Sequence, residues 1–274
     1  MVDYITANDV IIFDPRYDKP LSLKLNIQSN LKKIIFSNYE LNNDIFEAYE
    51  NSNFDNFALI CSNFNQPLGN SLANCTALTH IFFGYLFNQP LGNSLDNCTK
   101  LTHIHFCCEF NQQLTNSLDN CTVLTHINFG HKFNYPLCDF LYNHPLLVHL
   151  GLGYYFNQKV NLPLKLRSLS LNSNNGNLTD YLPNNIKELE LEQYFDLELD
   201  NLPSSIKKIT FDKISKYNQE LNCLPTQLSI LQLPSDYNKQ ILSIPNALKK
   251  LICSKNYPCI NDFSGIDVCT YLKS

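Results

Sequence analysis

Four histidines fall at one spacing. His80, His103, His126 and His149 are 23 residues apart each time, and the first three follow a threonine, Thr79, Thr102 and Thr125. Imidazole is the commonest protein metal ligand and titrates close to neutral pH. A repeated histidine could therefore hold a metal ion or carry a charge that changes with pH. A zinc site needs ligands that converge on one point at roughly 2.0–2.3 Å, and a column of side chains that all point the same way does not converge. The competing account is that the Thr-His pair was copied along with a repeat. Crowded imidazoles also repel one another once protonated, which lowers their pKa values. That predicts a surface neutral near pH 7 that gains charge on acidification.

A second set is basic. Arg167, Lys187, Lys207, Lys208, Lys249 and Lys250 stand just before successive apolar strand residues, and Lys32 and Lys33 do the same nearer the N-terminus. A line of cations could attract and steer an acidic segment. Glu188, Glu190 and Glu192 interleave and weaken the field, and exposed lysines also serve solubility. Cys107-Cys108 lies beside His103 and His105, a superficial metal cluster. Neighbouring side chains of an extended chain point to different sides, and no CxxC partner follows. The motifs HExxH, GxSxG, P-loop and GxGxxG are all missing. The expectation is a protein that is not an enzyme and needs no cofactor, metal or small-molecule substrate.

These residues are placed by a repeat. FNQPLGNSLANCTALTHIFF, FNQPLGNSLDNCTKLTHIHF and FNQQLTNSLDNCTVLTHINF begin at Phe64, Phe87 and Phe110, and Phe133 and Phe156 continue the spacing. A period of this length signals a solenoid. Leu101-Thr102-His103-Ile104-His105-Phe106 fits LxxLxL, with Ile104 and Phe106 inward and His103 and His105 outward, because a strand alternates its faces. Phe110-Asn111 turns the chain, which predicts a stacked Phe ladder and Asn ladder. Leu95, Cys98 and Leu101 then recur every third residue, predicting a short helical turn with Ser94 near its N-cap.

The central inward residue of each copy can be followed as Ile11, Ile34, Phe57, Ile81, Ile104, Ile127, Leu150, Leu169, Leu189, Ile209, Leu231 and Leu251. That makes about twelve coils, with Tyr17 and a worn Tyr39 standing in for the turn phenylalanine. Past about residue 150 the step shortens from 23 to mostly 20–22 residues, and the return reads Leu-Pro-x-x-Leu/Ile-Lys, as from Leu182 and Leu202 and, with Ile for the first Leu, from Ile244. Proline disfavours helix at the residue before it, which predicts extended returns. The expected architecture is an α/β-type repeat superhelix over residues 1–274. One long parallel sheet lies on its concave face, and mostly short helical or extended returns lie on its convex face. Asn143-His144-Pro145 marks a change of repeat type.

Composition sets bounds. The chain has 274 residues and a net charge of −5, which gives no reason to expect nucleic acid. No apolar run of membrane-spanning length occurs. Eleven cysteines without a signal peptide suggest a reducing, cytoplasmic setting. Cys75, Cys98 and Cys121 keep the 23-residue period, as a buried thiol column would. Asn74, Asn97 and Asn120 open Asn-Cys-Thr triplets, read as unmodified in that compartment.

The repeated FNQPL, FNYPL and LPxxIKxLxL segments resemble the FNIP-type leucine-rich repeat, and the likeness covers about 250 residues. Proteins of this family resemble one another across social amoebae and the giant viruses that infect them, so a viral member would act in the host cytoplasm. The resemblance implies a leucine-rich-repeat solenoid that binds a protein partner. Some members carry an N-terminal F-box, which implies substrate recruitment to a ubiquitin ligase. Here repeats begin by about Val10, so any such role would be played without an F-box. The expected contact residues are the outward ones: Thr79, His80, Thr102, His103, His105, Thr125, His126, Asn128 and His149, with Arg167, Lys187, Lys207, Lys208 and Lys249 second. Metal binding through the histidine ladder stands as an alternative.

Overall fold

The structure is a computed structural model that describes residues 3–21, 30–42, 44–51, 60–172 and 182–271. Backbone contacts divide the chain into two compact units, 1–146 and 147–274, each built of stacked coils.

In the first unit the strands follow one another in chain order: β1 (Tyr4–Ala7), β2 (Val10–Phe13), β3 (Lys33–Phe36), β4 (His80–Phe82), β5 (His103–His105) and β6 (His126–Asn128). β1 and β2 form an antiparallel hairpin, and every later pairing is parallel and in register, with Ile11, Ile34, Ile81, Ile104 and Ile127 aligned. These isoleucines are buried. Two aromatic stacks back them. Phe13, Phe36, Phe83, Phe106 and Phe129 end the strands, with consecutive ring centroids 4.9, 5.9, 5.2 and 5.8 Å apart. Phe64, Phe87, Phe110 and Phe133 make the turns, at 5.9, 6.1 and 6.1 Å.

The Asn ladder is present as expected. Asn65 Oδ1 accepts the backbone N–H of Asn88, Asn88 that of Asn111 and Asn111 that of Asn134, at 2.9, 2.9 and 3.1 Å. Each asparagine thereby satisfies a turn donor of the next coil, which would otherwise be buried without a partner at a cost of about 1–3 kcal/mol. Gln89 and Gln112 double the ladder through Nε2 to Asn65 and Asn88. Cys75, Cys98 and Cys121 are fully buried between coils, and all eleven cysteines are free.

Two expectations need correction. Phe57 lies outside the described residues, and β3 pairs directly with β4, Ile34 against Ile81. The turn position after β3 belongs to Phe64, which stacks on Phe36 at 4.0 Å, as Phe87 does on Phe83 at 4.1 Å and Phe110 on Phe106 at 3.9 Å. Tyr39 is therefore not a worn copy of that phenylalanine. Between Tyr39 and Phe64, the described residues Ile45–Asn51 form helix α1.

The second correction concerns the returns. The three returns from Leu68, Leu91 and Leu114 are runs of i→i−3 backbone bonds, such as Cys98 N to Leu95 O and Leu101 N to Cys98 O, rather than helices. Gly69, Gly92 and Thr115 interrupt each with a positive φ of +50°, +51° and +44°. Ser94 does not cap; its hydroxyl donates to Leu91 O at 2.6 Å. Where Cys138 takes the place of Gly69, Gly92 and Thr115, the return winds into helix α2 (Cys138–Asn143).

The second unit stacks β7 (His149–Leu152), β8 (Ser168–Leu171), β9 (Glu188–Leu191), β10 (Lys208–Phe211), β11 (Ile230–Gln232), β12 (Lys250–Ser254) and β13 (Asp267–Tyr271), all parallel. Leu150, Leu169, Leu189, Ile209, Leu231 and Leu251 form its buried column. Each Leu-Pro return carries a single turn bond, such as Ile186 N to Pro183 O and Ile206 N to Pro203 O, and is otherwise irregular. Among the described residues no helix is long and apolar enough to cross a membrane.

Candidate functional site

The outward sheet face of the first unit carries an ordered histidine row. His80, His103 and His126 stack ring on ring, with centroids 4.2 and 4.1 Å apart and planes within 12° and 9° of parallel. The threonine before each histidine sets the ring. Thr79, Thr102 and Thr125 Oγ1 each lie 2.8 Å from the following Nδ1. The same hydroxyls reach back to a carbonyl of the preceding coil, Thr102 to Thr79 O at 3.0 Å and Thr125 to Thr102 O at 3.2 Å, while Thr79 reaches Lys32 O at 3.1 Å. A hydroxyl has one hydrogen to give. It is spent on the carbonyl, so Oγ1 must accept from the ring, and Nδ1 carries the imidazole proton. The Thr-His pair is thus a unit that locks both rotamer and tautomer.

Burial holds His80 and His126 below the usual histidine range; for His80 the neighbouring charges of Lys33 and His126 add to it. Both shifts favour the neutral ring. Parallel rings aim their lone pairs side by side, and among the described residues no three His, Cys, Asp or Glu side chains are grouped to hold a metal ion. His105 and Asn128 form the next outward column with Phe82, whose ring lies 6.1 Å from that of His105. His149 begins β7 in the second unit. It follows Val148 rather than a threonine, and its Nδ1 meets Ser168 Oγ at 2.9 Å.

The histidine row has a neighbour that periodicity concealed. Helix α1 lies over the outward face of β2 and β3, and Ile45 packs with Ile12 and Ile35 in one buried cluster, flanked by Phe46, Tyr49 and Phe82. The expectation of an open outward face fails for these two strands. Tyr49 fixes the helix: its hydroxyl donates to Ser37 Oγ at 3.0 Å and accepts from Asn38 N at 3.2 Å. Burial pushes its phenol up to about 12. A cleft remains between α1 and the sheet, lined by Lys33, Phe46, Tyr49, Glu50 and Phe82 among others.

In the second unit Arg167, Lys187 and Lys207 stand in one column. Each backbone N–H bonds the carbonyl of the one before, at 2.7 and 2.8 Å, and Ser229 and Lys249 continue it. Lys208 is one residue further on, in register with Glu188, and its Nζ lies 3.3 Å from Glu188 Oε2. Glu190 stands beside them, its carboxyl raised by burial, with Lys208 opposing and Glu188 and Glu192 reinforcing. Ser170 Oγ donates to Glu192 Oε1 at 2.6 Å. This face is a mixed-charge surface with a cationic border, not a uniform basic stripe.

Short parallel strands, closed by aromatic turns and irregular returns over a leucine/isoleucine column, define a leucine-rich-repeat solenoid. Residues 175–213 match the family model described as FNIP Repeat. Among solved structures it is similar to CroV588, described as a novel circular leucine-rich-repeat protein, with 24% identity and a TM-score of 0.60. That match covers 93% of this chain and 42% of CroV588, so the chain spans less than half the length of that protein. It is also similar to an internalin, InlF, from Listeria monocytogenes, with 14% identity and a TM-score of 0.52, over 97% of this chain and 87% of the internalin. Both likenesses concern the fold. No curated protein sequence matches the chain.

Proposed function

We propose that the chain is a non-enzymatic interaction module that docks a protein partner on the outward faces of its strands. The observation that carries this reading is α1. A helical segment of the chain itself already lies on that face and buries Ile12 and Ile35 there, so the surface has the shape and chemistry to hold a polypeptide. Next to it the Thr-His row is held by hydrogen bonds before any partner arrives, and a preorganised surface loses less entropy on binding. Thr79, His80, Thr102, His103, His105, Thr125, His126 and Asn128 are the contact residues of the first unit. His149, Arg167, Lys187, Lys207, Lys208 and Lys249 are those of the second. The eleven free thiols support an intracellular site of action, since reducing compartments keep cysteines unpaired.

The test is a paired affinity capture from host-cell lysate, read by mass spectrometry. One bait is the intact chain; the other carries His80, His103 and His126 changed to Ala, with circular dichroism confirming its fold. A partner held by the first and lost by the second supports the histidine row as the contact surface. Identical captures would show that the row takes no part in binding.

A further inference from the structure

The outward column that ends at Asn128 changes character along the first unit. In register it reads Ile5, Ile12, Ile35, Phe82, His105 and Asn128. The matching column of the second unit reads Gly151, Ser170, Glu190, Thr210, Gln232 and Ile252, nearly all of it suited to water. An apolar stripe on an outward face marks a surface built to be covered. Helix α1 is what covers it. Ile45 and Ala48 are buried, and Tyr49 shares their face at helical spacing. From the sheet, Ile5, Val10 and Phe82 pack against the cluster of Ile12, Ile35 and Ile45. The seat exceeds its occupant. Phe82 stays half-buried, and a cleft runs beside Phe46 and Tyr49 over Val10, Ile12, Ile35 and Phe82. The occupant is also weak as a helix. Its seven residues fall short of the roughly 12–15 that an isolated helix needs, and Glu50 in the last turn opposes the macrodipole. α1 is therefore held by its seat and its tether rather than by its own stability. Its charge is one-sided: Asp44, Glu47 and Glu50, with no base between residues 44 and 51. The column bordering the seat reads Val10, Lys33, His80, His103 and His126, with no acid. Lys33 and Glu50 both line the cleft.

We propose that this apolar seat is the docking site of an acidic amphipathic helix belonging to the partner, and that α1 holds the seat in cis until that helix displaces it. The proposal rests on the reading that a partner docks on the outward faces, and it names the partner's element. The incoming helix sets apolar residues, at the spacing of Ile45, Ala48 and Tyr49, on Ile12, Ile35 and Phe82. Its acidic side turns to Lys33 and the histidine row. A helix longer than α1 covers Phe82 more fully and fills the cleft that α1 leaves open. Tethering gives α1 a high effective concentration, so it excludes poor ligands and yields to a helix with more anchors. A seat free for about a tenth of the time binds an outside ligand about tenfold more weakly.

The test uses the full chain and a fluorescein-labelled peptide, NNDIFEAYEN, the sequence of residues 42–51, read by fluorescence anisotropy. Ile45→Asp in the chain puts a charge into the buried cluster and unseats α1. With circular dichroism showing intact coils, this variant is expected to bind the peptide about tenfold more tightly than wild type. The same peptide carrying Ile45→Asp is expected to bind neither chain. Tyr49→Phe keeps the ring and the cluster and removes the hydroxyl's bonds to Ser37 and Asn38, so it tests the seat without a buried charge. Its affinity for the peptide is expected to rise roughly two- to tenfold over wild type. The proposal is overturned if neither variant binds the peptide more tightly than wild type, or if the Ile45→Asp peptide binds as well as the native one. The histidine variant separates this from the wider reading. A partner captured through the row, with no gain of peptide binding in either α1 variant, leaves outward-face docking in place and removes the helix as its ligand.

Discussion

At the level of single residues, the three coils that look identical in sequence are not equally at ease. Gly69, Gly92 and Thr115 occupy one repeat position, all with positive φ. Glycine adopts that conformation freely, whereas an L-residue pays roughly 1–2 kcal/mol in the left-handed region. Thr115→Gly is therefore expected to stabilise the chain by about 0.5–1 kcal/mol, after the greater entropy of glycine in the unfolded chain is subtracted. A loss of stability in denaturant melts would show that the threonine side chain does packing work that outweighs its backbone strain. The histidines make a second prediction. His80 and His126 are depressed below their ordinary value. Above about pH 6.5 both folded and unfolded chains carry neutral rings, and there is no penalty. As pH falls through that value the unfolded chain takes up protons first, so stability falls until the folded pKa values are passed. Wild type is expected to lose stability between about pH 7 and pH 5.5 relative to a His80→Gln/His126→Gln variant, and proton NMR titration should place both midpoints below 6.5. Ordinary midpoints would remove the depression. An unchanged difference between the two chains across that range would show that the stack does not couple to folding.

At the level of elements, what could be read ahead of the structure was whatever repeats with its own length. The alternation Ile104–Phe106 against His103–His105, the Asn ladder and the Phe ladder all follow from one 23-residue unit meeting its copies at the strand spacing of ~4.8 Å. The excursion carrying α1 was not legible, for an arithmetic reason. Phe64 follows Phe36 by 28 residues where Phe87 follows Phe83 by four, and the excess is one repeat length to within a residue. A period count therefore runs through this stretch without a break in phase. The return segments were misread because every-third-residue apolar spacing does not separate a helix from consecutive tight turns; the positive-φ position decides, and α2 forms where Cys138 replaces it. The contact of Asn38 Nδ2 with Cys107 Sγ was invisible because the two residues are 69 positions apart. If α1 is a packed cover over the sheet, Ile35 and Ile45 must be coupled. The double-mutant cycle of Ile35→Ala and Ile45→Ala is expected to give an interaction energy of about 0.5–3 kcal/mol. Additive losses within about 0.3 kcal/mol would mean that the helix rests on the sheet without holding to it.

At the level of the molecule, a stack of coils has a problem that no single coil shows. Each strand is satisfied by the one before and the one after, so the terminal strand of a stack presents a row of unpaired N–H and C=O groups that can template association. The first unit answers it with β1. This four-residue strand runs antiparallel to β2, from Tyr4 opposite Phe13 to Ala7 opposite Val10. It is tied at its start by Lys19 to Asp3, 2.7 Å apart, and by Asp14 N to Asp3 O. The antiparallel hairpin breaks the parallel repeat at this edge. The outer edge it leaves is short and partly exposed, whereas β2 behind it is Val10-Ile11-Ile12-Phe13 with Ile11, Ile12 and Phe13 buried. Removing residues 1–8 uncovers that apolar, β-branched edge while leaving every parallel pairing of β2 through β6 intact. Such a chain is expected to fold, judged by circular dichroism, yet to associate at micromolar concentrations where the intact chain does so less, judged by sedimentation velocity. Equal sedimentation of the two chains would show that β1 is ordinary sheet and not a guard, and that protection against edge pairing must come from the residues of β2 themselves.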